Sequence, residues 1–183
     1  MNRRPNIDAL MERAAADATW GDLALPPNTV ALLRRIADRA GRWSPIQRKS
    51  PPITVRGFGV LFVGKDTGEK LTAAQAVANT SRRALYRVDL SAVTSKYIGE
   101  TEKNLGRIFV AAEQAGALLY FDEADALFGK RSDVKDSHDR YAALELNFLF
   151  RSIKAHAGVS ILATAAAPPA AVLRRTRFAV HFR

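Results

Sequence analysis

Asp122 and Glu123 stand side by side at the end of the apolar run Leu118-Leu119-Tyr120-Phe121. Two adjacent carboxylates at the tip of a buried strand can divide the work of phosphoryl transfer, one facing a magnesium ion and the next the attacking water. Upstream, Gly64-Lys65-Asp66-Thr67-Gly68-Glu69-Lys70-Leu71 has the length of a phosphate-cradling glycine loop, with Gly64 and Lys70 correctly spaced. Such a loop wraps backbone N–H groups around phosphate oxygens, brings the lysine to them, and gives magnesium the hydroxyl of the next residue. Here Glu69 replaces the second glycine, adding a carboxylate side chain where the backbone must approach closely, and Leu71 replaces the hydroxyl residue. Thr72 carries its hydroxyl one position late, about 100° around a helix. Read alone, the segment describes a plain strand–turn–helix better than a working loop.

Two further segments carry candidate chemistry. Ser95-Lys96-Tyr97-Ile98-Gly99-Glu100 reads as a loop with an aromatic tip ahead of a helix, and Leu173-Arg174-Arg175-Thr176-Arg177-Phe178 as a basic helix end. Each has a bland explanation: an exposed tyrosine before a helix start, and cations that complement the helix dipole. The acid pair alone also describes a solvated strand end.

The elements that must position these residues follow a regular pattern. The run Val60–Val63 predicts a strand ending at Gly64, followed by a helix over about 70–80. Strands are expected over 84–90, 117–122, 159–164 and 178–182, with helices over about 102–115, 138–156 and 169–176. Strand–helix alternation of this length predicts a parallel sheet covered on both faces, with ligands at the carboxyl ends of the strands. Both candidate motifs lie at such ends. Ahead of this core, Ile7, Leu10, Met11 and Ala14 recur at helical spacing, and Asn28 is placed to cap a helix over 29–41. Residues 42–56, with Pro45, Pro51 and Pro52, read as a linker, so the division is 1–50 (helical region and linker) and 51–183 (core).

Composition sets the outer bounds. The 183 residues are 48% hydrophobic and 25% charged, in the range of a globular domain with a sizeable core. There is no cysteine, which excludes a disulfide framework and a thiolate metal site, and the three histidines lack zinc spacing. No apolar run approaches membrane-spanning length, so a cytoplasmic protein without a membrane partner is expected. The net charge is +10, with 9 basic and 5 acidic residues in the first fifty positions. That excess leaves a basic nucleic-acid-binding domain as an alternative, disfavoured because no dense Lys/Arg block or aromatic-interleaved basic stripe is present.

Taken together, Val93–Leu105 (VTSKYIGETEKNL), Phe121–Ser132 (FDEADALFGKRS), Asp136–Ala142 (DSHDRYA), Ile161–Thr164 (ILAT) and Leu173–Phe178 resemble an AAA+ ATPase over about 57–183. Within that family, FGKRS followed by KDSHDRY is most similar to ATPases associated with contractile injection systems, as is WGDLALP at Trp20–Pro26. The resemblance implies a P-loop three-layer sandwich with a parallel five-stranded sheet, binding ATP and Mg²⁺. It makes Asp122 the magnesium ligand, Glu123 the base, Lys70 the phosphate lysine and Gly64 and Gly68 the loop glycines. Arg174 and Arg175 become fingers toward a neighbouring subunit, and Lys96-Tyr97-Ile98 the loop that grips a polypeptide substrate. It further implies ATP hydrolysis coupled to protein remodelling or threading, and partners that are protein substrates or intact AAA+ subunits in a ring. Against the family pattern, Glu69, Leu71 and Ala165 (where an asparagine is usual) predict impaired turnover. The helical lid, which also supports the ring, is expected to be absent because the sequence stops at Arg183. The alternative is a non-hydrolysing scaffold that lends fingers or a pore loop to an intact partner.

Overall fold

The computed structural model describes residues 7–42, 57–128 and 137–183, with side chains from 143 onward in the last segment. The linker expected over 42–56 and the GKRS and KDS motif residues therefore fall largely outside the described residues.

The order of elements in the core is strand–helix alternation. Strands β2 (Phe58–Val63), β3 (Leu85–Asp89), β4 (Leu118–Asp122), β5 (Val159–Thr164) and β6 (Phe178–His181) run parallel. Between them lie α2 (Thr67–Ser81), α3 (Leu90–Val93), α4 (Glu100–Ala115), α5 (Asp125–Phe128), α6 (Ser137–Ala155) and α7 (Ala170–Leu173). Strand β1 (Glu12–Ala14) and helix α1 (Pro27–Gly41) precede them, and the sheet order is β1-β3-β4-β5-β2-β6.

Alternation within each strand sends side chains to two separate cores, which is what a three-layer sandwich requires. Val60, Phe62, Leu85, Tyr120 and Ile161 pack against α1 (Leu33, Ile36, Ala37) and the alanine-rich face of α2 (Ala73, Ala74, Val77). Leu61, Val88, Leu119, Phe121 and Leu162 pack on the other side against α4 (Leu105, Ile108, Phe109) and α6 (Leu149, Ile153). Burying one leucine-sized side chain contributes about 1.5–3 kcal/mol, so strands buried on both faces fix the positions of their carboxyl ends firmly.

The N-terminal region departs from the expected helix. Ile7–Ala9 form a single 3₁₀ turn, and Glu12–Ala14 make a sixth strand, antiparallel to β3 with Glu12 opposite Arg87. The unpaired edge of β3 offers a row of hydrogen-bonding groups, and pairing with it outweighs a weak local helical preference. Leu10 and Met11, read as one helical face, instead enter the α4/α6 core. Helix α1 starts two residues earlier than expected: Pro26 is its cap, and Asn28 lies inside the first turn, where its Oδ1 accepts from Thr29 N at 2.9 Å.

Candidate nucleotide site

Strand β2 ends at Gly64, whose φ of 157° and surroundings both demand glycine: a Cβ there would lie 2.7 Å from the Phe182 Cβ and carbonyl oxygen. From Gly64 the chain needs only Lys65 and Asp66 to reach helix α2, which begins at Thr67. The expected loop is thus shorter than predicted, with Thr67, Gly68 and Glu69 already wound into the helix. Asp66 is the reason. Its carboxylate accepts from Glu69 N at 2.9 Å, its carbonyl accepts from Lys70 N at 3.3 Å, and it acts as the N-cap. A backbone donor that would face a phosphate is therefore occupied by the chain's own carboxylate.

Lys70 is 2% exposed, and its Nζ donates to Gly64 O at 2.6 Å and Thr164 O at 3.1 Å. Burial lowers its pKa, while Asp122, Asp125 and Asp66 pull the other way. The ammonium thus bridges the carboxyl ends of β2 and β5. Leu71 contributes packing against the α1/α2 core rather than a ligand. Thr72 spends its hydroxyl on Gly68 O at 2.9 Å.

Asp122 closes β4 and is 4% exposed. Its Oδ2 accepts from Arg87 Nη2 at 2.7 Å and Nε at 3.2 Å, and its Oδ1 from Glu123 N at 3.0 Å. Arg87 sits on β3 in register with Tyr120, and the hydrogen bond to Asp122 raises its pKa above the usual guanidinium value. Glu123 is exposed and left-handed, at φ 52°, a conformation that costs a non-glycine residue about 1–2 kcal/mol. The following turn holds it there: Ala124 N donates to Ala163 O at 2.9 Å and Ala126 N to Glu123 O at 3.0 Å. Asp125 then clamps the end of β5, accepting from the Thr164 hydroxyl and from Ala165 N at 3.0 Å.

The remaining candidates lie apart from this corner. Tyr97 and Ile98 are 64% and 76% exposed on the loop before α4, with Lys96 Nζ 5.6 Å from the Tyr97 ring centroid. Gly99, at φ 79°, turns that loop into the helix. Arg174 and Arg175 follow α7 and are exposed, but Arg175 is tied back to its own chain. It donates to Asn147 Oδ1 at 2.6 Å and stacks on Phe150 at 5.5 Å, which leaves Arg174 as the outward finger candidate.

Sequence reasoning missed Arg87 and the capping role of Asp66. Asp66 had a signal, since an aspartate with glutamate three positions on matches a helix-start pattern. Arg87 had none, because its partner is set by strand register.

A magnesium ion at a nucleotide takes most of its six oxygens from phosphate and water and needs one or two protein carboxylates. Asp122, which keeps an acceptor site on Oδ1 beside its three hydrogen bonds, and the exposed Glu123 would hold it. Leu71 offers no oxygen, and the Thr72 and Thr164 hydroxyls are bonded internally. No group of three or more metal-ligating side chains occurs among the described residues.

A lysine at the first turn of α2 and an acid pair at the end of β4, on a mainly parallel sheet, define a P-loop type of α/β nucleotide-binding domain. Residues 60–183 match the ATPase family associated with various cellular activities (AAA), and the chain belongs to that family. It is similar to the cell division cycle protein 48 homolog of Archaeoglobus fulgidus, 28% identical over 87% of this chain and 22% of that protein. It also resembles spastin of Ixodes scapularis, at 33% identity over 55% of this chain and 15% of that protein. A third relative is the ATPase-like fidgetin of Schizosaccharomyces pombe, at 31% over 51% of this chain and 14% of that protein. The chain thus spans less than a quarter of the length of these relatives. No helix among the described residues is long and apolar enough to cross a membrane.

Proposed function

We propose that this chain is an ATP-binding AAA subunit that engages a polypeptide through Lys96-Tyr97-Ile98 and hydrolyses ATP poorly on its own. One observation carries the reading: the Lys70 ammonium is buried where the carboxyl ends of β2 and β5 meet, beside the acid-tipped β4. A buried lysine is costly unless its charge has a task, and here its neighbours are the groups a triphosphate would meet. Poor turnover follows from the competition of Arg87 for Asp122, the Asp66 cap and the absence of a water-positioning side chain at Ala165. Losing one preorganised polar contact typically costs about 10²–10³ in rate, so the losses compound. Remodelling of a protein in a ring with other AAA subunits, a cytoplasmic location and an association with contractile injection systems belong to this proposal and rest on the motif resemblance.

The test is thermal stabilisation by ATP together with phosphate release on one sample. ATP should raise the melting temperature of the native chain and not that of Lys70→Ala, with phosphate release close to background. No shift at any ATP concentration would overturn the reading. Brisk release abolished in Glu123→Gln would overturn the claim of poor turnover.

A second reading draws on the exposure of Arg174. In it, the chain is a non-hydrolysing subunit that lends this finger to an intact AAA partner. Co-assembly with such a partner, and a drop in the partner's turnover with Arg174→Ala, would favour it.

A further inference from the structure

The Thr164–Ala165 peptide unit, at the carboxyl end of β5, is held from both sides. Its carbonyl accepts from Gly64 N at 3.0 Å and from Lys70 Nζ at 3.1 Å, so it serves both ends of the glycine loop. Its N–H, that of Ala165, donates to Asp125 Oδ2 at 3.0 Å. The other Asp125 oxygen accepts from the Thr164 hydroxyl. The peptide is trans, and a trans peptide is planar, with N–H and C=O pointing in opposite directions. Fixing the N–H therefore fixes where the carbonyl points. The groups run carboxylate, peptide, ammonium, with Asp125 at one end and Lys70 at the other. Hydrogen bonds linked in this way polarise one another, and the carboxylate makes the carbonyl a stronger acceptor for the cation.

The surrounding elements fix both ends of this chain. Asp125 opens α5 directly after the acid pair, and Ala124 N donates to Ala163 O at 2.9 Å, which sets that turn against β5. Asp125 is itself exposed and belongs to neither core, so removing its side chain opens no cavity. Thr164 has one proton to donate and a second acceptor for it in Ala166 O at 2.9 Å, whereas Ala165 N has Asp125 as its acceptor. On the other side, Lys70 places two of its N–H groups on Gly64 O and Thr164 O, which stops the ammonium from rotating and sets the direction of the third. Burial lowers the Lys70 pKa, and Asp125 is one of the carboxylates, with Asp122 and Asp66, that oppose this.

We infer that Asp125 is a positioning residue for Lys70: it orients the Thr164–Ala165 peptide so that the carbonyl holds the ammonium with one N–H left for a ligand. The inference deepens the nucleotide-binding reading above and rests on it for the identity of that ligand. Asp125 acts through Lys70 rather than on the nucleotide.

The experiment compares the full chain, labelled with ¹⁵N-lysine, with Asp125→Ala and Asp125→Asn by ammonium NMR, calorimetric ATP titration and circular dichroism melts. Asp125→Asn separates geometry from charge. Its amide oxygen can accept from Ala165 N, and its amide nitrogen can donate to the Thr164 hydroxyl oxygen while the Thr164 proton turns to Ala166 O. The native chain should show a slowly exchanging ammonium signal that is missing from Lys70→Arg. Asp125→Ala should lose that signal to fast exchange and bind ATP about tenfold more weakly. Asp125→Asn should keep the signal and stay within about threefold of the native affinity. A merely structural Asp125 would lower the melting temperature and leave the Lys70 signal in place. If Asp125→Ala does not fold, Asp125→Ser, too short to reach β5, takes its place. A Lys70 signal absent from the native chain or unchanged in the truncated variant would overturn the inference. So would native ATP affinity in that variant, or equal losses in it and in Asp125→Asn, and each of these leaves the nucleotide site standing. No ATP binding by the native chain would remove the nucleotide site, and the Lys70 signal would still decide the positioning role.

Discussion

Two regions of this molecule face solvent at the carboxyl-end side of the core and could hardly be built more differently. At the β2–β4–β5 corner the main polar groups already have a protein partner: Lys70 has two carbonyls, Asp122 an arginine and an amide, Asp66 the start of α2, and Asp125 the end of β5. At the Lys96–Gly99 loop, Tyr97 and Ile98 stand out in water, on a backbone fixed by the Ser95 hydroxyl accepting from Tyr97 N at 3.2 Å and by the Tyr97 carbonyl accepting from Glu100 N at 3.2 Å. In the first region a ligand competes with internal bonds for Lys70 and Asp122, although each keeps one donor or acceptor site in reserve. The second presents apolar surface without rearrangement. A site can thus keep the residues of its family and still be set against its ligand, because each protein–protein bond competes with a protein–ligand one.

The sharpest way to break this contrast is at Gly64. A Cβ there meets Phe182 at 2.7 Å, from a backbone that disfavours any side chain. Gly64→Ala should therefore cost about 2–4 kcal/mol of stability in urea denaturation. A loss below about 1 kcal/mol would mean that the end of β6 is not packed against the corner, and the corner would be looser than described.

What could be read in advance divides along the same line. The five parallel strands were legible because each is a short, mostly apolar run, with β2, β3 and β4 closed by a glycine or an acid, and all appear within a residue or two of the expected bounds. β1 was not, since Glu12-Arg13-Ala14 carries no strand period and exists because β3 has an open edge. Lys70, Asp122 and Glu123 were legible as letters at strand ends. Their state of bonding was not. The partner of Asp122 lies 35 positions away on another strand, and only the β3–β4 register brings the two together. The loop was read at full length because glycine spacing suggested it, whereas Asp66 followed by Glu69 is also a helix-start signal, and in the folded chain that signal wins.

Asp66 gives a second, smaller lever with two readouts of opposite sign. Removing its side chain in Asp66→Ala leaves Glu69 N without its acceptor and should cost about 0.5–2 kcal/mol, as for other helix caps. The same change removes a negative charge from the place where phosphate would sit, at the positive end of the α2 dipole. ATP or inorganic phosphate should then bind more tightly to a less stable protein. Melting and titration on one preparation test both signs. A variant that loses stability and gains no anion affinity would show that the cap is structural only, and the corner would not be self-inhibited through Asp66.

The smallest effect on stability belongs to the other region. Tyr97→Ala removes a ring that is 64% exposed and that faces the Lys96 ammonium at 5.6 Å. A cation–π contact at such a site is worth about 0.5–1 kcal/mol before screening, and the substitution should shift stability by no more than about 0.5 kcal/mol. Binding of a fluorescent unfolded polypeptide, followed by anisotropy, should nevertheless fall clearly, because an aromatic and an isoleucine exposed together are the apolar surface this loop has to offer. The two measurements are decisive only as a pair. Lost binding with unchanged stability marks a loop whose side chains serve a partner. Lost stability would instead make the loop part of the fold, and the contrast with the self-bonded corner would fail from this side.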